Sequence, residues 1–154
     1  EEGIRIGIHP ADPPVDSVGG VPRLLNSFAA YKRLTEIVDS PSNAIEFCQG
    51  TFSEMADAEG EGIYDMIRYF GERKKILYVH FRNVSNAGDP FVESFINTGH
   101  VDMIRALKIY KEVGFEGVLV NDHVPVTTGD TSWGHQGRAY ANGYIQALMD
   151  VYDN

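Results

Sequence analysis

Apolar and polar positions along the chain fall into four short apolar runs separated by longer stretches of helical periodicity. Ile4, Ile6 and Ile8 alternate with Arg5 and Gly7, the period-two signature of a strand. From Pro22 the period changes. Leu24, Leu25, Phe28, Tyr31, Leu34, Ile37 and Val38 recur at steps of three and four, which predicts a helix with Pro22 in its first turn and Asp39-Ser40-Pro41 at its end. Before it, Gly19-Gly20 signals a turn. Ala44 to Phe47 reads as the second strand, after which Gln49-Gly50 turns the chain away. Ser53 and Glu54 predict the start of a short helix, and Ala58 to Gly62 an exposed acidic loop. Ile63, Met66, Ile67 and Phe70 mark a helix that Gly71 stops. Ile76 to His80 is the third strand. The long polar stretch from His80 to Gly99 holds no clear helix, and connections of that length are often functional. Val101, Ile104, Leu107, Ile109 and Val113 give the next helix, ending at Gly114, and Gly117 to Val120 the fourth strand. A Gly- and Thr-rich loop, Thr127 to Gly137, leads to a last helix from Ala139 to Val151.

The order βαβαβαβα implies an α/β fold with a parallel sheet and right-handed crossovers. Each strand delivers one potential metal ligand at its carboxyl end: His9, Cys48, His80 and Asp122, recurring roughly every 40 residues, enough for a strand, a helix and two loops. Ligands at successive strand ends are the habit of a (β/α)8 TIM barrel, whereas an open doubly wound sheet gathers its ligand at one switch point. A whole barrel has eight strands and about 250 residues. Four units therefore predict a half barrel, with Ile4–Ile8 and Val118–Val120 as unpaired edges and an inner face that includes Ile6, Ile8, Phe47, Tyr78 and Leu119. Apolar surface exposed in that way drives association, so a homo-oligomer is expected.

Composition narrows the partners. The chain has 154 residues, 43% hydrophobic and 23% charged, which suits one globular domain. No apolar run approaches the roughly 18 residues of a membrane span. The net charge of −9 argues against nucleic acid or an anionic membrane as partner, but not against a small anionic substrate. A single Cys excludes an internal disulfide and fits a reducing cytoplasm. The start at Glu1-Glu2-Gly3, without Met, leads us to expect a truncated or processed chain.

Two imidazoles, a thiolate and a carboxylate form a donor set for a divalent transition metal. Taken singly, Cys48 reads as a small buried apolar residue; the recurrence at equivalent places favours the metal site. Arg82 and Asn83 follow His80 and would point to the same cavity, where the planar guanidinium suits a carboxylate. His123 stands beside Asp122 where Pro125 ends the strand, a candidate acid or base. His135 reads as a lid residue and His100 as a turn or cap residue.

Gly7-Ile-His-Pro10 with Asp12-Pro13-Pro14, Phe47-Cys-Gln-Gly50, Val79-His-Phe-Arg-Asn83, Asp122-His-Val-Pro125 and Gly137-Arg-Ala-Tyr140 with Gly143-Tyr144 together resemble the mannonate dehydratase family, over its C-terminal half. The resemblance implies that residues 1–154 are the C-terminal half of a single TIM-barrel catalytic domain, similar to xylose isomerase. It implies a hydro-lyase that dehydrates D-mannonate to 2-keto-3-deoxy-D-gluconate in hexuronate breakdown, with Mn²⁺ or Fe²⁺. The family's metal ligands fall on His9, Cys48, His80 and Asp122, and its acid–base pair on His123 and Tyr140. The substrate is then a small anionic sugar acid, the partner the missing N-terminal half, and the setting cytoplasmic. The competing expectations are a metal-dependent sugar isomerase or epimerase on a similar barrel, and an inactive half-barrel fragment.

Overall fold

The computed structural model describes residues 2–55 and 61–153. In chain order the elements are β1 (Ile6–Ile8), β2 (Ser17–Val18), β3 (Val21–Pro22), α1 (Phe28–Ile37), β4 (Asn43–Cys48), α2 (Gln49–Glu54), α3 (Glu61–Glu72), β5 (Ile76–His80), α4 (Met103–Glu112), β6 (Leu119–Val120) and α5 (His135–Asp153). Strands β1, β4, β5 and β6 form one parallel sheet in that order, with β1 and β6 at its edges. The pair β2–β3 is a separate antiparallel hairpin.

Register decides which side chains share a face. Phe47 pairs with Val79, and Val79 with Leu119; Cys48 pairs with His80, and His80 with Val120. Alternation along each strand puts the first set on one face and the second on the other. Ile45, Phe47, Ile76 and Val79 are buried in one hydrophobic cluster with residues of all five helices or packed against them. The helices thus cover a single face of the sheet, whereas a doubly wound sheet carries helices on both. The expected inner-face set is corrected accordingly. Phe47 stacks on Phe52 with ring centroids 4.3 Å apart, Ile6 and Ile8 line a recess with Leu34 and Ile37 of α1 and with Val38 just after it, and Leu119 packs toward Leu107 and Tyr110. Of the five, Tyr78 shares the face of His80, and its ring meets that of His80 at 5.6 Å.

Helix boundaries differ from the pattern where local hydrogen bonds override it. The first helix begins at Phe28, because Ser27 caps it by accepting from the Ala30 amide. Pro22 belongs instead to the hairpin, whose turn uses Gly19 and Gly20 at φ +56° and +80°, and Leu24 is left 84% exposed. The short second helix starts directly after Cys48, so Ser53 and Glu54 end it. Gly71 does not stop α3. It lies inside the helix where Val113 presses on it, a Cβ there meeting Val113 Cγ2 at 2.4 Å, and Lys74 at φ +55° makes the exit turn. The last helix starts at His135, earlier than expected, because the Asp130 carboxylate accepts from the Gln136 and Gly137 amides; His135 is therefore helical. The fourth strand is only two residues long. The acidic loop expected at 58–62 lies mostly outside the described residues, and Glu61 and Gly62 already belong to α3.

Aromatic packing ties the first three helices to β4. Tyr31 meets Phe52 edge-on at 4.9 Å, and Phe70 closes on Tyr31, Phe47 and Phe52. Truncating one such buried ring costs about 3–5 kcal/mol. No helix among the described residues is long and apolar enough to cross a membrane.

Candidate metal centre

The carboxyl ends of the four parallel strands bring the candidate ligands together. One ligand atom each of His9, Cys48 and His80 lies within 4.8 Å of the others. Asp122 joins them, its Oδ2 3.5 Å from His80 Nδ1 and 3.8 Å from Cys48 Sγ. The His9 and His80 rings stand 5.3 Å apart.

Hydrogen bonds around the imidazoles set which nitrogens are free. His9 Nδ1 is 2.7 Å from the Pro10 carbonyl, which can only accept, so Nε2 keeps its lone pair. His80 Nε2 is 2.8 Å from Glu46 Oε1, so a neutral ring carries its hydrogen there and keeps the lone pair on Nδ1, on the other side of the ring. That Nδ1 is buried without a hydrogen-bond partner among the described residues, although it faces Asp122. A buried nitrogen with a free lone pair, beside a sulfur and a carboxylate, fits a divalent cation, and Glu46 is the carboxylate that commonly orients a metal-bound imidazole. Electrostatics agree. Burial draws the His80 pKa down, but the nearby Asp122 carboxylate and Cys48 sulfur raise it to about 9, so without a cation the ring itself takes up the positive charge that a metal would replace; burial pulls the Asp122 pKa up, but the His80 contact holds it down at about 2. The cluster therefore stabilises positive charge at its centre. Thr51 Oγ1 lies 3.1 Å and Arg82 Nη1 3.8 Å from Cys48 Sγ.

Asp122 owes its place to a turn. Its φ is +53°, a left-handed conformation that Asp tolerates better than most residues. Arg138, on α5, holds that turn: Nη1 donates to Asn121 Oδ1 at 2.8 Å and to the Asp122 carbonyl, while Nε donates to the Trp133 carbonyl at 2.9 Å. Asn121 in turn donates to Asn142 Oδ1 at 2.7 Å.

Arg82 is buried and engaged by the protein's own carboxylates. Nε donates to Glu93 Oε2 at 2.9 Å, Nη2 to Glu93 Oε1, and Nη1 to Asp12 Oδ2 at 2.8 Å. Glu54 Oε1 is 3.5 Å from Nη2, and neither Glu54 oxygen has a hydrogen bond among the described residues. Burial, then Asp12, push the Glu54 pKa up to about 8 against the pull of Arg82. Gly50 lets the Arg82 stem pass, since a Cβ there would meet Arg82 Cδ at 2.8 Å. Asn83 points into the loop after β5, where it donates to the Ile96 and Val101 carbonyls at 2.9 Å each; a Cβ on Gly99 would fall 2.2 Å from its Oδ1.

His123 is half exposed, with Nδ1 3.2 Å from Glu93 Oε1 and Nε2 3.7 Å from Asp122 Oδ1. Tyr140, also half exposed, donates to Asn97 Oδ1 at 3.0 Å and packs edge-on against Phe95. His100 Nε2 meets Ser53 Oγ at 3.1 Å. Sequence reasoning missed Glu46, Glu54, Glu93 and the role of Arg138. Glu46 carried a signal, because it precedes Cys48 by two residues and so shares its face of β4. A recess of about 270 Å³ beside Arg5, Lys74 and Phe115 lies at the opposite, amino ends of the strands and is lined by none of these candidate ligands.

All residues 1–154 match the family described as D-mannonate dehydratase (UxuA). The chain is 37% identical to mannonate dehydratase 2 of Halalkalibacterium halodurans, covering 100% of this chain and 43% of that protein. It is 37% identical to the mannonate dehydratase of Enterococcus faecalis, with 98% and 42% covered. Among solved structures, mannonate dehydratase from Streptococcus suis serotype 2 superposes with a TM-score of 0.83 at 30% identity, over 95% of this chain and 42% of that one. The chain spans about two fifths of the length of the relatives it matches.

Proposed function

The chain belongs to the D-mannonate dehydratase family, and from that premise we propose that it supplies the metal-binding half of a hydro-lyase that converts D-mannonate to 2-keto-3-deoxy-D-gluconate and water. The observation that carries the reading is the convergence of His9, Cys48, His80 and Asp122 at four consecutive strand ends, with the buried His80 Nδ1 left free. These four residues would hold Mn²⁺ or Fe²⁺. Bound there, the ion would supply Lewis acidity for negative charge that develops beside the substrate carboxylate.

The chain's own residues then account for the proton traffic. Dehydration removes the proton from C2 and the hydroxyl from C3; the hydroxyl leaves as water once protonated, and the enol tautomerises to the 2-keto acid. A base and an acid are needed on the two carbons. His123 and Tyr140 are half exposed and carry titratable atoms on the side of the sheet where the strands end. Arg82 and Asn83 act in substrate binding on this reading. The charged partners of Arg82 and the carbonyl partners of Asn83 make that role one of shaping the wall of the site and its field.

We also read the four βα units as the C-terminal half of a (β/α)8 barrel, residues 1–154 forming part of a single domain. One-sided helical cover and free edges at β1 and β6 support this reading. The missing N-terminal half is then the partner of both edges. A thiol ligand that must stay reduced supports a cytoplasmic setting. The test is to follow 2-keto-acid formation from D-mannonate by the protein expressed from its complete reading frame, with Mn²⁺ or Fe²⁺ added. Metal-dependent 2-keto-acid formation is expected. Interconversion of neutral aldoses and ketoses without it would favour the isomerase reading instead.

A further inference from the structure

We infer that Glu93 is a positioning residue for His123, fixing its ring so that Nε2 is turned to the metal side of the site; the inference rests on the reading of His123 as an acid–base group. Glu93 lies in the irregular connection between β5 and α4, yet both its backbone and its side chain are held. Its backbone pairs with Val84 in an isolated antiparallel bridge. Its carboxylate takes the Arg82 guanidinium on both oxygens, from Nε at 2.9 Å and from Nη2. Arg82 is itself buried and anchored at Nη1 by Asp12. The Arg82 grip uses one lone pair of each oxygen, and His123 Nδ1 sits 3.2 Å from Oε1, within reach of its second.

The donor–acceptor arithmetic follows from the pairing. An ionised carboxylate only accepts, so the hydrogen of a neutral His123 ring belongs on Nδ1 and the lone pair on Nε2. Nε2 stands 3.7 Å from Asp122 Oδ1, so it lies on the side of that candidate ligand. Without the Glu93 contact the half-exposed ring would be free to rotate or to change tautomer. A base oriented by a third group, itself fixed by a buried cation, is the arrangement that catalytic imidazoles require.

The experiment uses the protein from its complete reading frame. kcat and KM on D-mannonate are measured with Mn²⁺ for wild type, Glu93→Gln, His123→Asn and the double variant. Glu93→Gln is expected to lower kcat on the order of 10- to 100-fold, with KM and metal content little changed. The double variant is expected to be no slower than His123→Asn alone, because Glu93 acts through that ring. A second measurement leaves Glu93 intact. The ring ¹⁵N shifts of His123 in the Zn²⁺-loaded wild-type protein, at a pH that keeps the ring neutral, should report hydrogen on Nδ1. Loss of kcat in His123→Asn together with full kcat in Glu93→Gln, a full further loss in the double variant, or hydrogen on Nε2 would each overturn the positioning role. Full kcat in His123→Asn would instead sink the acid–base reading, and the inference with it.

Discussion

Glu54 offers a test of the buried charge set around Arg82 that is independent of turnover. Its side chain has no solvent exposure, and its carboxyl sits at about 8. An unfolded Glu titrates near 4.3. Between those values the native state holds a proton that the unfolded state has lost. Because the native pKa is the raised one, the stabilising contribution is complete below about pH 4 and declines as pH rises toward 8. The slope is at most about 1.4 kcal/mol per pH unit, so from pH 5 to pH 7.5 the loss approaches about 3 kcal/mol as an upper bound. Asp12, Glu93 and Arg82 share the same field and spread the transition over a wider range. Glu54→Gln has the shape of the neutral acid and no proton to lose. Urea unfolding of the two proteins, measured at matched pH values in chelator, should give equal midpoints near pH 4 and a more stable variant at pH 8. Curves that stay parallel across that range would refute the reasoning. A variant weaker at every pH would show that Glu54 is ionised and pairs with Arg82.

The remaining predictions concern the site and the sheet. Arg138→Ala frees the left-handed turn at Asp122 and should weaken metal binding by roughly 10- to 100-fold, read by competition with a chromogenic chelator; unchanged affinity would remove Arg138 from the support of that ligand. Tyr140→Phe should lower kcat by roughly 100-fold or more at normal metal content, and a variant that loses its metal would argue for a structural role. The 154-residue chain on its own should sediment as a dimer or aggregate with little dehydratase activity, since β1 and β6 are open. A stable, fully active monomer would contradict the half-barrel reading.

Much of this architecture could be read from hydrophobic period alone, because buried strands and amphipathic helices leave different repeats. The strand order and the placing of the four candidate ligands at strand ends followed from counting such units. What failed was local. Nothing in the apolar pattern distinguishes Leu24 and Leu25 from a helical turn; the Ser27 cap and the Gly19-Gly20 turn decide the matter through hydrogen bonds and positive φ. The face of Phe47 was legible but misread. If Cys48 points to the strand-end site, alternation sends Phe47 to the helices and Glu46 toward His80. Glu93 and Arg138 carried no comparable signal, since each acts across the fold on a residue distant in sequence.

The central claim, that the four strand ends build one metal centre, is tested most directly by X-ray absorption of the protein loaded with Zn²⁺ as a structural stand-in. The account predicts one sulfur at about 2.3 Å and nitrogen and oxygen donors at about 2.0–2.2 Å, with the sulfur signal lost in Cys48→Ser. A shell of nitrogen and oxygen alone in the wild-type protein would contradict it.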